Sequence, residues 1–237
     1  MRTCARKSHR GNMKGVTSFY YAFRQHLRKN AKRIGPLQTV SRLEEYLTKE
    51  FCSVVFLKSR NKILPLTNLG LRSDKRRIDI SFLKGDMSKI LDAESAKELR
   101  DKLAISTLIE VKFIRNRHRF GFSEAKDEIA TTLKDLRRQL SRFQGKKYAG
   151  YQVRHRGRRG DTYGLVAVSY VWRKNRDREP DDPMKFVQDV KEVAEKHFRY
   201  HDMSVPYVDR IYEKHRFKIL NADFSASLYI GLWRLKE

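Results

Sequence analysis

Two short stretches of strict alternation, residues 76–83 and 108–113, constrain this chain more than any other part of it. In the first, Ile78, Ile80 and Phe82 fall on one side and Asp79 and Ser81 on the other. In the second, Ile109, Val111 and Phe113 oppose Glu110 and Lys112. A two-residue period belongs to a strand with unlike faces, because successive side chains leave the pleat in opposite directions. If the two strands pair, two carboxylates and an ammonium group converge on one spot. Phosphate-ester chemistry with a divalent metal needs such a spot: hard oxygen ligands for Mg²⁺ and a cation beside the attacking water or the scissile phosphate.

The chain has 237 residues, 40% of them hydrophobic, enough for one elaborated domain with a real core. Lys and Arg number 53 against 28 Asp and Glu, a formal net charge of +25. That excess exceeds what solubility requires and points to a polyanionic partner. Nucleic acid is preferred to a membrane surface, since no apolar run of ~18 residues and no lipidation motif occurs. Only Cys4 and Cys52 are present, without metal-ligand spacing, which fits a reducing cytoplasm. The N-terminus lacks an apolar core of the secretory type; its basic composition before Glu44 also suits an organellar transit peptide.

Residues 1–15 read as a basic arm, followed by an amphipathic helix at 16–29 with Val16, Phe19, Tyr20, Phe23 and Leu27 on its inner stripe. Gly35-Pro36 breaks the chain. A second helix is expected over about 37–51, with Val40, Leu43, Leu47 and Phe51 inward and Glu44 bordering that stripe, where a carboxylate needs a partner or a metal. Residues 52–58, β-branched and aromatic, read as the first strand, and 59–75 as a loop or poorly formed hairpin. A helical excursion over about 92–103 separates the Asp79 and Glu110 strands. The basic cluster Arg115, Arg117, Arg119 leads to a helix from Ser123 to about residue 144. The Gly-rich loop 145–161 carries Lys146, Lys147, Arg154, Arg156, Arg158 and Arg159 with Tyr148 and Tyr151, a composition suited to following a phosphate backbone and stacking on bases. Residues 163–172 are nearly all apolar, as in a central strand covered on both sides. A helix from Asp181 or Asp182 to about residue 200 carries His197 at its inner edge, packed rather than catalytic, and 225–235 forms a last strand pairing with 163–172.

Helix, strand, Asp79 strand, Glu110-Val111-Lys112 strand, helix, strand: this order resembles the PD-(D/E)XK, or restriction-endonuclease-like, nuclease superfamily. The resemblance covers roughly residues 37–172. Arg77-Ile78-Asp79 stands where the Pro-Asp pair is expected, and Glu110-x-Lys112 supplies the second half of the motif. It implies an α/β fold: a mixed β-sheet flanked by helices, with an N-terminal helical extension (1–35), a core (37–172) and a C-terminal helix and strand (173–237) completing one nuclease domain. It implies further that Asp79 and Glu110 ligate Mg²⁺ or Mn²⁺ with the Val111 carbonyl, that Lys112 orients or deprotonates the attacking water, and that Glu44 is an additional acid from the first core helix. Gln139, on the helix after the Lys112 strand, is a weaker candidate.

The expected activity is therefore metal-dependent hydrolysis of phosphodiester bonds by an endonuclease of restriction/defence or recombination/repair type. Double-stranded DNA is the expected substrate and a homodimer the expected form for symmetric cutting. Two alternatives stay open: a non-catalytic DNA- or RNA-binding protein with structural acids, and a ribonuclease.

Overall fold

The computed structural model describes residues 10–39, 43–60, 62–71, 74–84, 104–116, 152–153, 161–174 and 209–234, with the single positions 92, 94, 95, 98, 131, 134, 135, 138 and 192. The first helix, α1 (Arg10–Lys29), begins inside the expected basic arm, six residues before Val16. Its buried stripe is Val16, Phe19, Tyr20, Phe23 and Leu27, the spacing that turns one side of an α-helix to a core.

The short helix α2 (Ala31–Leu37) runs through Pro36 and closes in a turn at Gln38 and Thr39, so the break falls just after the Gly-Pro pair. The next helix, α3 (Leu43–Lys58), starts six residues later than expected and replaces the strand expected at 52–58. The cause is visible in the burial pattern: Leu43, Leu47, Phe51, Val54 and Val55 continue one helical stripe, while Leu57 is 74% exposed. A stripe of that length against a core outweighs the β propensity of a Val-Val-Phe run. The helix ends where Arg60 takes the left-handed conformation, φ 52°, and its N–H reaches back to the Leu57 carbonyl.

The first strand is instead β1 (Ile63–Leu71), which pairs antiparallel with β2 (Asp74–Lys84); of the loop or poorly formed hairpin expected at 59–75, the hairpin is what forms. β2 pairs antiparallel with β3 (Ala104–Asn116), which runs parallel to both the two-residue β4 (Gln152–Val153) and β5 (Asp161–Arg173). β6 (Asp209–Ile219) was not anticipated; it pairs antiparallel with β7 (Ala222–Arg234), the expected partner of β5. The sheet is mixed, in the order β1-β2-β3-β5-β7-β6, with β4 beside β3. Pro65 is tolerated because β1 lies at an edge, where a missing N–H breaks no inner ladder.

The helices cover the odd-numbered side of β3 and β5. Ile109, Val111, Tyr163, Leu165 and Ala167 join the stripes of α1 and α3 in one core. Aromatic rings knit the layers: Phe23 meets Phe51 at 5.0 Å, and Phe82 meets Phe19 at 6.1 Å and Phe51 at 6.2 Å. Thr131, Lys134, Asp135 and Arg138 are helical, within the helix expected after β3, and Glu192 is helical within the one expected after β5. Most of both stretches, His197 included, and most of the excursion at 92–103 lie outside the described residues. No helix among the described residues is long and apolar enough to cross a membrane.

Candidate active site

The two alternating segments pair, in the register Ile80↔Ile109 and Ser81↔Leu108. Beyond Ile80↔Ile109 the strands part: β2 continues beside β1, β3 beside β5. Asp79 stands at this fork. Its Oδ2 accepts the Val111 backbone N–H at 2.8 Å, so a side chain takes over where the ladder lapses. On its other flank the β1 ladder passes from Thr67↔Ile80 to Leu69↔Ile78 and skips Asn68, which adopts φ 56°. Positive φ in a non-glycine residue inside a strand stores strain, which Asn tolerates better than most. Thus β2 loses regular pairing on both sides at Asp79.

Glu110 and Lys112 share the face opposite the helical core. Lys112 Nζ lies 3.0 Å from Glu110 Oε1, with the two side chains 21% and 5% exposed. Glu110 Oε2 is buried and has no hydrogen-bond partner among the described residues. Burial, reinforced by the Asp79 charge, pushes the Glu110 carboxyl up to about 7 despite its ion pair. Asp79 is also raised, by burial, although the Val111 amide and Lys112 oppose this. Burial works against the Lys112 charge, but attraction to Glu110, Asp79 and Glu44 outweighs it and raises the ammonium above its ordinary value.

Glu44, on the first turn of α3, belongs to the same electrostatic neighbourhood: burial raises its carboxyl, Lys112 lowers it and Asp79 raises it again. Its neighbour Glu45 points away and pairs with Lys49 at 2.7 Å, as a helix requires of adjacent residues. Asp79, Glu110 and Lys112 are thus brought together from β2 and β3, with Glu44 of α3 close enough for their charges to be felt.

The metal reading meets a stricter test. Among the described residues, no group of three or more His, Cys, Asp or Glu side chains is placed to hold a metal ion. The resemblance names two carboxylates, Asp79 and Glu110, as the ligands. Mg²⁺ is often held by one or two carboxylates plus substrate oxygens and water. The partnerless Oε2 of Glu110 is an atom that such a cation would satisfy. That unpaired oxygen is the one observation that fits the two-carboxylate site, Asp79 and Glu110 with the Val111 carbonyl, that the resemblance implies.

The expected basic contacts fare unevenly. Arg115 lies in β3 on the side of the helical core, with its Nη2 donating to the Thr39 carbonyl at 3.4 Å, so it is directed away from the Lys112 face. Arg117, Arg119, Lys146, Lys147, Arg154, Arg156, Arg158, Arg159 and Gln139 lie outside the described residues. β4 falls inside the basic loop expected at 145–161, and β5 begins at its last residue. Val153 pairs with Ile105 and Asp161 with Thr107, so these two pieces run along the same edge of β3. Asn68 escaped the sequence reading; an Asn interrupting a short apolar run was its only signal.

No protein-family model, no curated protein and no solved structure matches the chain.

Proposed function

We propose that the chain is a metal-dependent nuclease of the PD-(D/E)XK type that hydrolyses phosphodiester bonds in nucleic acid, with double-stranded DNA as the first substrate to test. The observation that carries this reading is the fork: Asp79 on β2 meets Glu110 and Lys112 on β3 where the strands part. The order α3-β1-β2-β3, the helical positions 131, 134, 135 and 138 and then β5 parallel to β3 support the restriction-endonuclease-like core.

The residues have distinct tasks in such a reaction. Lys112, held as an ammonium by three carboxylates, is a cation for the charge that builds on the phosphoryl oxygens, where fixed charges stabilise a transition state most. It is a poor base in this state. Glu110, buried with its Oε2 unpaired among the described residues, would hold the cation together with Asp79. A water oxygen bonds to phosphorus and gives its proton to solvent, the bond to the leaving deoxyribose oxygen breaks, and that oxygen takes up a proton. A divalent cation, when bound, supplies Lewis acidity toward the phosphoryl oxygens and a more acidic water.

The test is incubation of supercoiled and linear DNA with wild type and Lys112→Ala, in Mg²⁺ or in EDTA. Cleavage by wild type in Mg²⁺ alone supports the reading; equal and EDTA-insensitive results for both proteins sink it. The lack of a three-acid cluster among the described residues favours one rival, a nucleic-acid-binding protein in which these charges are structural. That rival predicts unchanged binding and no cleavage under every condition.

A further inference from the structure

The edge formed by β6 and β7 carries a second cationic feature, separate from the Asp79 fork. A cavity of about 420 Å³ is lined by Trp172, Lys174, Lys214, Arg216, Lys218 and Phe224, among others. Its geometry follows from the strand period. His215 and Phe217 turn toward α2, where a Cβ on Gly35 would meet them at 2.9 and 3.1 Å. Arg216 and Lys218 alternate with them on the other side, and Lys214 joins the lining from a bulge at φ 48°; all three are exposed. Trp172, 4% exposed, is the apolar floor. Lys174 is anchored through its backbone N–H to the Asp223 carbonyl at 2.9 Å. The Asp223 side chain is the one lining carboxylate, 3.8 Å from Lys218, so four cations face one anion.

Register relates this cavity to the fork. Lys112 pairs with Val166, whose face recurs at Trp172; Trp172 pairs with Ser225 and Ser225 with Arg216. The cavity and the fork therefore belong to the same side of the sheet, both toward the carboxyl end of the parallel pair β3 and β5. Open α/β sheets bind ligands at that end. From β3 to β6 is three inter-strand steps of ~4.8 Å, and from Val166 to Trp172 six residues of ~3.3 Å, a separation of about 25 Å. At ~3.4 Å per base pair this spans roughly seven base pairs of duplex.

We propose that this cavity is a secondary nucleic-acid site, in which Lys174, Lys214, Arg216 and Lys218 hold backbone phosphates while a sugar or base edge rests on Trp172. Isolated lysines on an edge strand discourage strand addition, but that role needs neither a concavity nor an aromatic floor. The site rests on the nucleic-acid reading above and is independent of hydrolysis.

The experiment measures binding of the full chain to a fluorescent 24-base-pair duplex and to the same strand unpaired, in EDTA, over a salt series. Lys214→Gln/Arg216→Gln/Lys218→Gln is compared with Lys49→Gln/Lys58→Gln/Lys62→Gln, which removes the same charge from exposed positions elsewhere. The first triple should weaken duplex binding at least about tenfold and flatten the slope of log K against log salt by roughly 2–3, one phosphate contact contributing ~0.9. The second should change affinity by less than about threefold. Loss only on the unpaired strand also supports the site and makes single strands its ligand. Equal losses in both triples, no loss in the first, or a change confined to binding of phosphatidylserine vesicles would each overturn it. A wild type that binds but never cuts, with the first triple still defective, removes the nuclease reading and keeps this one.

Discussion

Asp79 Oδ2 takes the backbone N–H of Val111 at 2.8 Å, at the point where β2 and β3 stop exchanging backbone bonds. One carboxylate therefore has a structural bond and, on the proposed function, a chemical task, and substitutions can separate them. In Asp79→Asn the amide oxygen still accepts that N–H, so stability should stay within about 1 kcal/mol of wild type. Asp79→Ala leaves the N–H unpaired in a half-buried place, at a cost of roughly 1–3 kcal/mol. Urea melts at constant m-value read this difference. On the proposed function both variants lose Mg²⁺-dependent cleavage alike; retained cleavage in Asp79→Asn would show that the charge is not used.

Glu110 gives the site a pH signature. Its carboxyl is raised from 4.5 to about 7 in the folded protein, so between those values the native state binds more protons than the unfolded chain. Stability must then fall as pH rises through this window, by up to roughly 3 kcal/mol once the group is fully ionised. Melting in EDTA from pH 4.5 to 8 should show that decline in wild type and a shallower one in Glu110→Gln, where Asp79 and Glu44, also raised by burial, keep part of it. A wild-type profile as shallow as that of the variant would mean that the charge of Glu110 is already balanced.

The two site strands were legible because alternation is a local property: Asp79, Ser81, Glu110 and Lys112 declare their side of the sheet whatever they pair with. The strand at 163–172 and its partner near the C-terminus were legible for the same reason. Residues 52–58 were not, since Val54, Val55 and Phe56 satisfy a strand locally while the stripe from Leu43 through Val55 satisfies a helix over three turns. β6 was missed because its side chains run from cation to aromatic to cation, a pattern that reads as loop until α2 covers His215 and Phe217. Glu44 could be placed near an apolar border from helical phase. Its coupling to Lys112 depends on where α3 meets β3, which no local pattern encodes.

Lys112 balances three carboxylates, so removing it should hurt stability most where they are ionised. Lys112→Met keeps the length and apolar stem but leaves Glu110, Asp79 and Glu44 to repel one another. Roughly 1–3 kcal/mol should be lost at pH 8, between the values for exposed and buried pairs, and less at pH 5, where protonation relieves the repulsion. Thermal melts at both pH values decide it; equal losses would make the effect one of packing.

Asn68 is the strained residue beside the fork. At φ 56° a β-branched side chain is disfavoured and glycine is at ease, so Asn68→Val should cost about 1–3 kcal/mol and Asn68→Gly stay near neutral. The opposite order in chemical denaturation would mean that the conformation relaxes without cost.

Tyr20 ties the N-terminal helix to the far edge of the sheet. Its hydroxyl lies 2.8 Å from Asp209 Oδ2 and 2.9 Å from the Ile230 carbonyl, while Arg24 pairs with Asp209 from the next turn of α1. Burial raises this phenol far above its ordinary range, so the hydroxyl remains a donor at any working pH. Tyr20→Phe keeps the ring in the core and removes only the bridge, leaving Asp209 to Arg24. A loss of about 1–2 kcal/mol, the usual effect of deleting one buried hydroxyl, is expected in chemical denaturation with an unchanged m-value. If α1 docks by its apolar stripe alone, Tyr20→Phe will melt with wild type, and the polar clasp adds nothing to the attachment of α1 to β6 and β7.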